Sequence, residues 1–329
     1  MNRVPRPLVR AACDFCGSSE GDPITGPLQD DELADTLPPA FAALTFRFVR
    51  CANCGLVYLT ERPDPDDVAV YYPDDYKCFI SYADRGLIMK ALAERVARGK
   101  LKQIASLMPE GNATLLDYGC GSGTWLAMLQ ELGCRYRMIG TDIVAGPLDE
   151  LRRRGMEAYQ CDEATLGRHV PPASVGVVHL FHVIEHLPNA ARVLDAIRDV
   201  LAPGGVLIGQ TPNVASTGLR FWRDDWNQWH APQHLVLFSD DTLRRHAERA
   251  GFEVVRISSS ISGATQWALS SLHRWARLRG RRFRGIHERW YPPLVLASIP
   301  IVLIEAALSR TCHMDFVFRK PARTSAPHR

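Results

Sequence analysis

The chain has 329 residues, of which 46% are hydrophobic and 23% charged, and its formal net charge is +3. This composition is ordinary for a soluble globular protein, the length accommodates an α/β core with one small additional module, and the charge is too small to indicate nucleic-acid binding by itself. The first residues contain no apolar stretch of the length that a secretory signal needs, and the cysteine spacing indicates a reducing compartment, so we expect a cytoplasmic protein.

Two Cys-x-x-Cys pairs mark the segment 1–60. Each pair is followed by a glycine, and the four cysteines are Cys13, Cys16, Cys51 and Cys54. Four thiolates suit a tetrahedral zinc ion, and the apolar residues on both sides of the second pair look like strands of a zinc ribbon. A redox dithiol and a chance pairing are the alternatives. Because all four ligand positions would be filled by the protein, we expect the zinc to be structural.

A connector rich in proline, aspartate and tyrosine follows at 61–87. Its tyrosines, Tyr71, Tyr72 and Tyr76, either line the mouth of a substrate site or pack the connector against the next domain. Residues 87–107 then carry a helical apolar pattern without proline, which predicts a helix that covers one face of a sheet.

The segment 114–133 combines a short apolar strand, alternating glycines and a helical leucine stripe. Asp117 ends the strand, and Gly119, Gly121 and Gly123 follow it. A strand, a glycine turn and a helix in this order present backbone N–H groups and a helix N-terminus to a ligand. A tight turn without a ligand is one alternative, and a dinucleotide site, whose glycines are spaced G-x-G-x-x-G, is another. The DYGCGSG arrangement resembles the first motif of class I S-adenosylmethionine-dependent methyltransferases.

Acidic residues follow the next two predicted strands. The strand 136–141 leads into Asp142, about twenty residues beyond the glycines, where a carboxylate can accept hydrogen bonds from both ribose hydroxyls of an adenosyl group. We assign Ile143 to the same cofactor site. The strand 156–160 leads to Asp162, which can accept a hydrogen bond from the adenine amino group. A solvated turn is the alternative for these carboxylates.

Residues 174–181 predict a buried parallel strand, and the sequence H-V-I-E-H follows it with His182, Glu185 and His186. Asn189 can cap the helix that comes next, and L-A-P-G-G precedes the fifth strand. The E-H-L and the L-A-P-G-G also resemble class I methyltransferases. The resemblance implies a Rossmann-like α/β fold with a seven-stranded mixed sheet, its last strand antiparallel between the fifth and sixth, and a bound S-adenosylmethionine near His182.

The sixth and seventh strands are predicted at 252–258 and 314–320, and the insertion 260–312 separates them. The first half of this insertion is basic, and its apolar second half is interrupted by a proline and a glutamate, so we reject a membrane-spanning helix. A helical cap on its own domain or on a second subunit is one interpretation. The other is peripheral contact of 274–309 with the inner face of the membrane, since basic and apolar surfaces together favour anionic lipid.

The predicted organisation therefore has four parts: a zinc ribbon at 1–60, a connector at 61–87, a methyltransferase core at 88–259 completed by 313–322, and a helical insertion at 260–312. In an open α/β sheet the ligand lies beyond the carboxyl ends of the strands, which places the acceptor at the loops after the fourth and fifth strands.

The loop after the fifth strand carries aromatic, acidic and histidine side chains, namely Phe221, Trp222, Asp224, Asp225, Trp226, Trp229, His230 and His234. Exposed aromatic rings among polar groups can stack on a sugar ring; a hydrophobic flap packed on the core is the alternative. An alcohol or enolisable acceptor must lose a proton, and we assign His234 and His230 as candidate bases.

The ribbon, the connector and the core together resemble bacterial methyltransferases that act on deoxysugars and other glycan or natural-product acceptors. In the sugar C-methyltransferases of that group a Tyr-His-Glu-His run carries the base, whereas the matching stretch 229–234 lacks the tyrosine and the glutamate. The resemblance therefore favours O-methylation of a sugar, glycolipid or natural-product hydroxyl over C-methylation of a keto-deoxysugar. A nucleic-acid or protein methyltransferase and a non-catalytic scaffold remain alternatives, but no stacking tetrapeptide for a base follows the fourth strand, so no nucleic-acid partner is expected.

Overall fold

The computed structural model describes residues 4–30, 33, 36–73, 87–108, 113–146, 148–260, 263–281 and 283–322, and of residues 87–93 it describes the backbone. The N-terminal part has short strands and one short helix: Val9–Arg10 (β1), Gly21–Pro23 (β2), Pro39–Ala42 (α1), Phe48–Cys51 (β3), Val57–Leu59 (β4) and Glu61–Arg62 (β5). β2, β3 and β4 pair antiparallel in sequence order, and β1 pairs with β5.

The rest of the described chain alternates helices and strands. The elements are Leu87–Leu107 (α2), Thr114–Tyr118 (β6), Thr124–Glu131 (α3), Arg137–Asp142 (β7), Leu148–Arg153 (α4), Glu157–Gln160 (β8), Leu166–His169 (α5), Val175–Phe181 (β9), Ala190–Val200 (α6), Leu201–Pro212 (β10), Thr217–Trp222 (α7), Val236–Leu237 (β11), Asp240–Arg249 (α8), Glu253–Ser259 (β12), Ala264–Leu278 (α9), Tyr291–Ala307 (α10) and His313–Arg319 (β13). The predicted helix at 87–107 is confirmed at both ends.

A seven-stranded sheet forms the centre of the fold, with the strand order β12-β13-β10-β9-β6-β7-β8. The strands β6 to β10 pair in parallel. β13 lies between β10 and β12 and is antiparallel to both. The predicted α/β fold and mixed sheet are therefore confirmed, including the antiparallel last strand. Apolar side chains cover both faces of the sheet, as a buried parallel strand such as β9 requires.

Two local predictions differ from the structure. β10 begins at Leu201 rather than after Gly205, because the L-A-P-G-G segment forms an irregularity within the strand pairing, with the register shifting between Leu201 and Val206. Asn189 stands before α6, but its side chain does not cap the helix. The carboxylate of Asp14 takes that place and accepts a hydrogen bond from Ala191 N at 3.1 Å. This hydrogen bond thus links the cysteine-rich segment to α6 of the core.

The N-terminal sheet also includes a strand from the loop after β10. β11 pairs antiparallel with β4, which gives the strand order β11-β4-β3-β2. The ring of Phe48 in β3 stacks on Trp229 with 5.0 Å between centroids, and Gln233 Nε2 donates to Asp30 Oδ2 at 2.6 Å. The N-terminal module and the loop that was predicted to meet the acceptor therefore share one sheet.

The insertion before β13 consists of α9 and α10, which pack against each other. Trp267 Nε1 in α9 donates to the buried Glu305 carboxylate in α10 at 2.9 Å. Elsewhere α10 exposes large apolar side chains, among them Leu296, Ile299, Leu303 and Ile304, and its C-cap Leu308 is exposed as well. Within the described part of the chain, none of the helices combines the length and apolar character needed to cross a membrane.

Candidate functional site

Four cysteine sulfurs converge in the N-terminal module. Cys13 Sγ lies 3.4 Å from Cys54 Sγ, and Cys16 Sγ lies 3.5 Å from Cys51 Sγ. All four atoms are within 4.8 Å of one another. A disulfide would require about 2.05 Å, whereas sulfurs about 2.3 Å from a tetrahedral zinc lie about 3.8 Å apart. The donor set and its geometry therefore fit zinc.

The turn between β6 and α3 is built on glycines in the left-handed region, with φ of +74° at Gly119, +52° at Gly121 and +70° at Gly123. A Cβ on Gly119 would lie 2.7 Å from a methyl group of Val183, and one on Gly123 would lie 2.3 Å from Leu151. These two glycines are thus required by protein packing as well as by backbone conformation.

The carboxylate of Asp142 lies at the end of β7, beside this turn. It is 9% exposed, and it accepts hydrogen bonds from Gly121 N at 2.8 Å and Val144 N at 3.0 Å. Burial raises the pKa of Asp142. The next side chain, Ile143, is 61% exposed although it is large and apolar. A carboxylate next to an uncovered apolar surface fits a ribose and an adenine ring.

Asp162 has a local structural role besides its predicted contact with the cofactor. Its Oδ1 accepts hydrogen bonds from Ala164 N at 3.1 Å, Thr165 N at 2.9 Å and Thr165 Oγ1 at 2.6 Å, at the entrance to α5. The hydrogen bond from the Thr165 hydroxyl lowers the pKa of this carboxyl. Contact of Asp162 with adenine remains a prediction.

A buried polar pair lies under the glycine turn. Asp117 Oδ1 is 2.6 Å from His179 Nδ1, and the imidazole makes stacked contacts with the rings of Trp125 and Phe181. Lys100 of α2 places its Nζ 3.4 Å from the centroid of the Phe181 ring, and burial lowers its pKa to about 8. Sequence reasoning missed His179 and Lys100, although a histidine inside the apolar strand β9 was a visible signal.

A histidine cluster lies at the carboxyl ends of β9 and β10. It comprises His182, Glu185, His186, His230, His234 and His313. The rings of His186 and His234 are 4.7 Å apart, those of His230 and His234 5.2 Å, and those of His182 and His313 5.0 Å. The structure therefore brings both predicted bases together with the H-V-I-E-H segment. His313, at the start of β13, was not foreseen because it comes from the far end of the sequence.

His182 and Glu185 are held by polar contacts within this cluster. His182 has a φ of +53°, and its Nε2 lies 2.8 Å from Gln210 Oε1. Glu185 is fully buried; its Oε1 lies 3.2 Å from His182 Nδ1, and its Oε2 accepts a hydrogen bond from Thr211 Oγ1 at 3.0 Å. Burial acts to raise the pKa of Glu185, but His182 and the nearby His186 outweigh it and leave the pKa lowered.

His234 is buried and His186 is half-buried, and a ring nitrogen of each lies close to a backbone carbonyl oxygen. His186 Nδ1 lies 3.0 Å from the Gln233 carbonyl oxygen and 3.2 Å from the Tyr72 hydroxyl, and His234 Nδ1 lies 2.9 Å from the Gln228 carbonyl oxygen. Burial lowers the pKa of His186 to about 4 and that of His234 well below its usual value. Of the connector tyrosines, Tyr72 thus reaches the cluster and Tyr71 is buried, whereas Tyr76 lies outside the described residues.

The expectation of exposed, stacking tryptophans is wrong. Trp222, Trp226 and Trp229 are 8%, 2% and 4% exposed and pack in one hydrophobic cluster with residues of the N-terminal module and α9. Phe221 alone among the four aromatics of this loop is exposed. Ion pairs also join this loop to the basic insertion, because the buried Asp225 carboxylate binds Arg274 and Arg277. The loop is therefore a packed flap.

The central part of the chain is similar in sequence to a known protein family. A sequence model of the methyltransferase domain matches residues 89–257, just over half of the chain. The chain belongs to the methyltransferase domain family. The matched range begins in α2 and ends in β12, so it includes the glycine turn, Asp142 and most of the histidine cluster. The N-terminal module, α9, α10 and β13 lie outside it.

Individual relatives of this methyltransferase domain are distant. The chain is similar to a trans-aconitate 2-methyltransferase of Azoarcus sp. (strain BH72), 30% identical over 42% of this chain and 55% of that enzyme. It is also similar to a ubiquinone biosynthesis O-methyltransferase of Idiomarina loihiensis, 30% identical over 45% of this chain and 64% of that enzyme. The chain thus spans less than two thirds of either enzyme. A solved SAM-dependent methyltransferase from Archaeoglobus fulgidus is 17% identical, with a TM-score of 0.46 and coverage of 69% and 94%.

Proposed function

We propose that the protein is an S-adenosylmethionine-dependent methyltransferase with a structural zinc ion, and that its acceptor is a hydroxyl of a small, sugar-containing molecule, a glycolipid or a natural product. The observation that carries the proposal is the pairing of Asp142 with the exposed Ile143 beside the glycine turn of a methyltransferase domain. The relative named as an O-methyltransferase supports oxygen as the acceptor atom.

Residues around the glycine turn would hold the cofactor. Asp142 is oriented by Gly121 N and would accept from the ribose hydroxyls, and Ile143 offers an apolar surface to the adenine. We assign Asp117, Gly119, Gly123, Asp162 and His182 to the same site, and Lys100 is a cation available to the methionine carboxylate. When bound, S-adenosylmethionine supplies a methyl group that is already activated by the sulfonium. The protein then aligns donor and acceptor and excludes water.

The acceptor would lie at the carboxyl ends of β9 and β10, next to the histidine cluster. His234 and His230 are the candidate bases that remove the hydroxyl proton. His234 Nδ1 faces a carbonyl oxygen, which only accepts hydrogen bonds, so this nitrogen carries the proton and Nε2 has the free lone pair. The four cysteines would bind the zinc that stabilises the ribbon, because they leave no ligand position open.

We also propose that the insertion rests on an anionic membrane surface. Arg279 and Arg281 lie over the ring of Trp275, and Arg289 lies over the half-exposed Trp290. Arginine and tryptophan next to the exposed apolar side chains of α10 are the composition that interfacial helices present to anionic lipid. Sedimentation with anionic and neutral vesicles tests this; binding to neither, together with a dimeric mass in solution, would assign the face to a second copy of the chain.

Titration calorimetry with S-adenosylmethionine tests the cofactor site. We expect binding by the wild type and at least tenfold weaker binding by Asp142→Asn, because hydrogen bonds to a charged group contribute about 1.5–3 kcal/mol. Asp149→Asn, an exposed acid in α4, is the matched control. A folded protein that binds no cofactor would overturn the proposal.

Turnover identifies the acceptor class. Incubation with methyl-labelled cofactor and either nucleotide-sugars, glycolipids, RNA or protein separates the proposed small acceptor from a macromolecular one. We expect label in a nucleotide-sugar or a glycolipid. Label in RNA or protein would favour the alternative classes, and cofactor binding without transfer to any candidate would favour a scaffold.

A further inference from the structure

Three side chains of the histidine cluster converge as metal ligands do. Glu185, His186 and His234 each offer one ligand atom, and these atoms lie within 4.8 Å of one another. Glu185 and His186 follow β9, whereas His234 lies in the loop after β10, so the sheet brings together two segments that are distant in sequence. In the part of the chain that the structure describes, the four cysteines form the only other such group.

Hydrogen bonds fix the free nitrogen of both histidines. Nδ1 of His186 faces the Gln233 carbonyl oxygen, and Nδ1 of His234 faces the Gln228 carbonyl oxygen. A carbonyl oxygen cannot donate, so Nδ1 of His234 carries the proton and its Nε2 keeps its lone pair. His186 Nδ1 also lies 3.2 Å from the Tyr72 hydroxyl, but its shorter contact, 3.0 Å to the carbonyl oxygen, favours the same tautomer. Histidines that bind a metal through one nitrogen usually donate the other N–H to a carbonyl or carboxylate in this way, which fixes the tautomer and the ring orientation.

The buried carboxylate also calls for a positive charge. Glu185 is 0% exposed, and its carboxylate contacts the Thr211 hydroxyl, the His182 imidazole and a backbone N–H, none of which carries a permanent charge. When they are protonated, however, His182 and His186 stabilise the carboxylate. Burying a carboxylate without a cation costs several kcal/mol. A divalent cation among Glu185 and the two imidazoles would supply the missing charge.

We propose that Glu185, His186 and His234 bind one divalent transition-metal ion, distinct from the ion of the four cysteines. Two imidazoles and one carboxylate form a donor set that zinc uses where a ligand position stays open for a water or a substrate. This site lies at the carboxyl ends of the strands, which is also where the acceptor is expected. His234 is then a metal ligand rather than a base.

The role of this ion rests on the proposed methyl transfer. A cation beside the acceptor hydroxyl stabilises the negative charge of its oxygen as the proton leaves to solvent. The oxygen then bonds to the methyl carbon while the carbon–sulfur bond breaks and both of its electrons remain on sulfur. The negative oxygen and the positive sulfonium thus give a neutral ether and a neutral thioether.

Metal stoichiometry of the full zinc-loaded chain tests the inference. Native mass spectrometry during titration with Zn²⁺, and in a parallel series with Co²⁺, should give two ions per wild-type chain. Glu185→Gln, His186→Asn and His234→Asn should each retain one, the ion of the cysteines. The control His169→Asn changes an exposed histidine outside the cluster and should retain two.

The variants are compared only where their circular dichroism spectra match that of the wild type, because loss of a bound ion by itself lowers Tm. Glu185→Gln keeps the size and the hydrogen bond from Thr211, so it is the least disruptive. A wild type that binds a single ion, or a folded Glu185→Gln that keeps the second ion, would overturn the inference. Calorimetry with S-adenosylmethionine on the same samples separates the two proposals. Cofactor binding with one ion rejects the metal site alone, whereas two ions without cofactor binding reject the methyltransferase activity alone.

Discussion

Substitution of Gly119 by alanine tests whether this glycine serves the packing of the turn or the approach of the cofactor. Its φ of +74° costs an L-residue about 1–2 kcal/mol. The new Cβ would also lie 2.7 and 2.8 Å from the two methyl groups of Val183, a β-branched side chain that cannot easily rotate away. Overpacking of this kind costs about 1–3 kcal/mol. We therefore expect Gly119→Ala to lower the free energy of unfolding by about 2–5 kcal/mol in a urea titration.

Two further variants separate the backbone cost of Gly119→Ala from the cost of its clash with Val183. Gly133 has a φ of +75° and no atom within 4 Å of an added Cβ, so Gly133→Ala should show the backbone cost alone. The double substitution Gly119→Ala with Val183→Ala should regain the part due to the clash. If calorimetry finds cofactor affinity still reduced in the double variant, the glycine is also required for ligand approach. A Gly119→Ala protein no less stable than Gly133→Ala would refute the packing argument.

Three other substitutions or treatments probe the surroundings of the site. Chelation of zinc should lower Tm and shift the tryptophan emission, to which Trp229 contributes, because the ribbon sheet holds this ring against Phe48. An unchanged Tm after proven zinc loss would contradict a structural role. Asp14→Ala should cost about 1 kcal/mol through the lost cap of α6, and Asp14→Asn, which keeps an acceptor, less; equal losses would implicate charge instead. Burial lowers the pKa of Lys100 to about 8 from 10.5, so the folded chain releases this proton at a lower pH than the unfolded chain does. The stability of the wild type relative to Lys100→Met should therefore rise between pH 8 and 10.5, on the order of 1–3 kcal/mol. Parallel curves of stability against pH for the two proteins would exclude the pKa shift.

The succession of helices and strands along the chain could be predicted because the sequence pattern of each element is local. A buried parallel strand such as β9 is a continuous apolar run, and an amphipathic helix such as α6 shows its apolar stripe within four turns. The antiparallel position of β13 came from the resemblance to class I methyltransferases rather than from its own sequence. The predicted and observed ends of some strands differ by a few residues. At β10 the difference arises because glycines allow an irregularity in the strand pairing.

The contacts that sequence reasoning missed join residues far apart in the chain. Asp14 caps a helix that begins 176 positions later, and no local pattern near Asn189 shows that a better acceptor arrives from the N-terminus. The tryptophans of the flap look like a stacking platform in sequence, because periodicity does not reveal which module covers them. The pattern of residues 87–107 gives no sign that Lys100 places its ammonium group over the ring of Phe181 in β9.

The N-terminal module and the candidate acceptor site are physically coupled. β4 of the module pairs with β11, which begins two residues after His234, and Leu59 N donates to the Leu235 carbonyl oxygen at 2.9 Å. Tyr72 reaches His186 from the connector on the same side. The ribbon sheet holds this segment on one side, and the core holds it on the other through Leu235 N, which donates to the Glu185 carbonyl oxygen at 2.7 Å. We therefore expect loss of order in the ribbon to loosen the segment that carries His234. The cysteines are therefore remote from the histidine cluster in sequence but are connected to it through two strand pairings, β3 with β4 and β4 with β11.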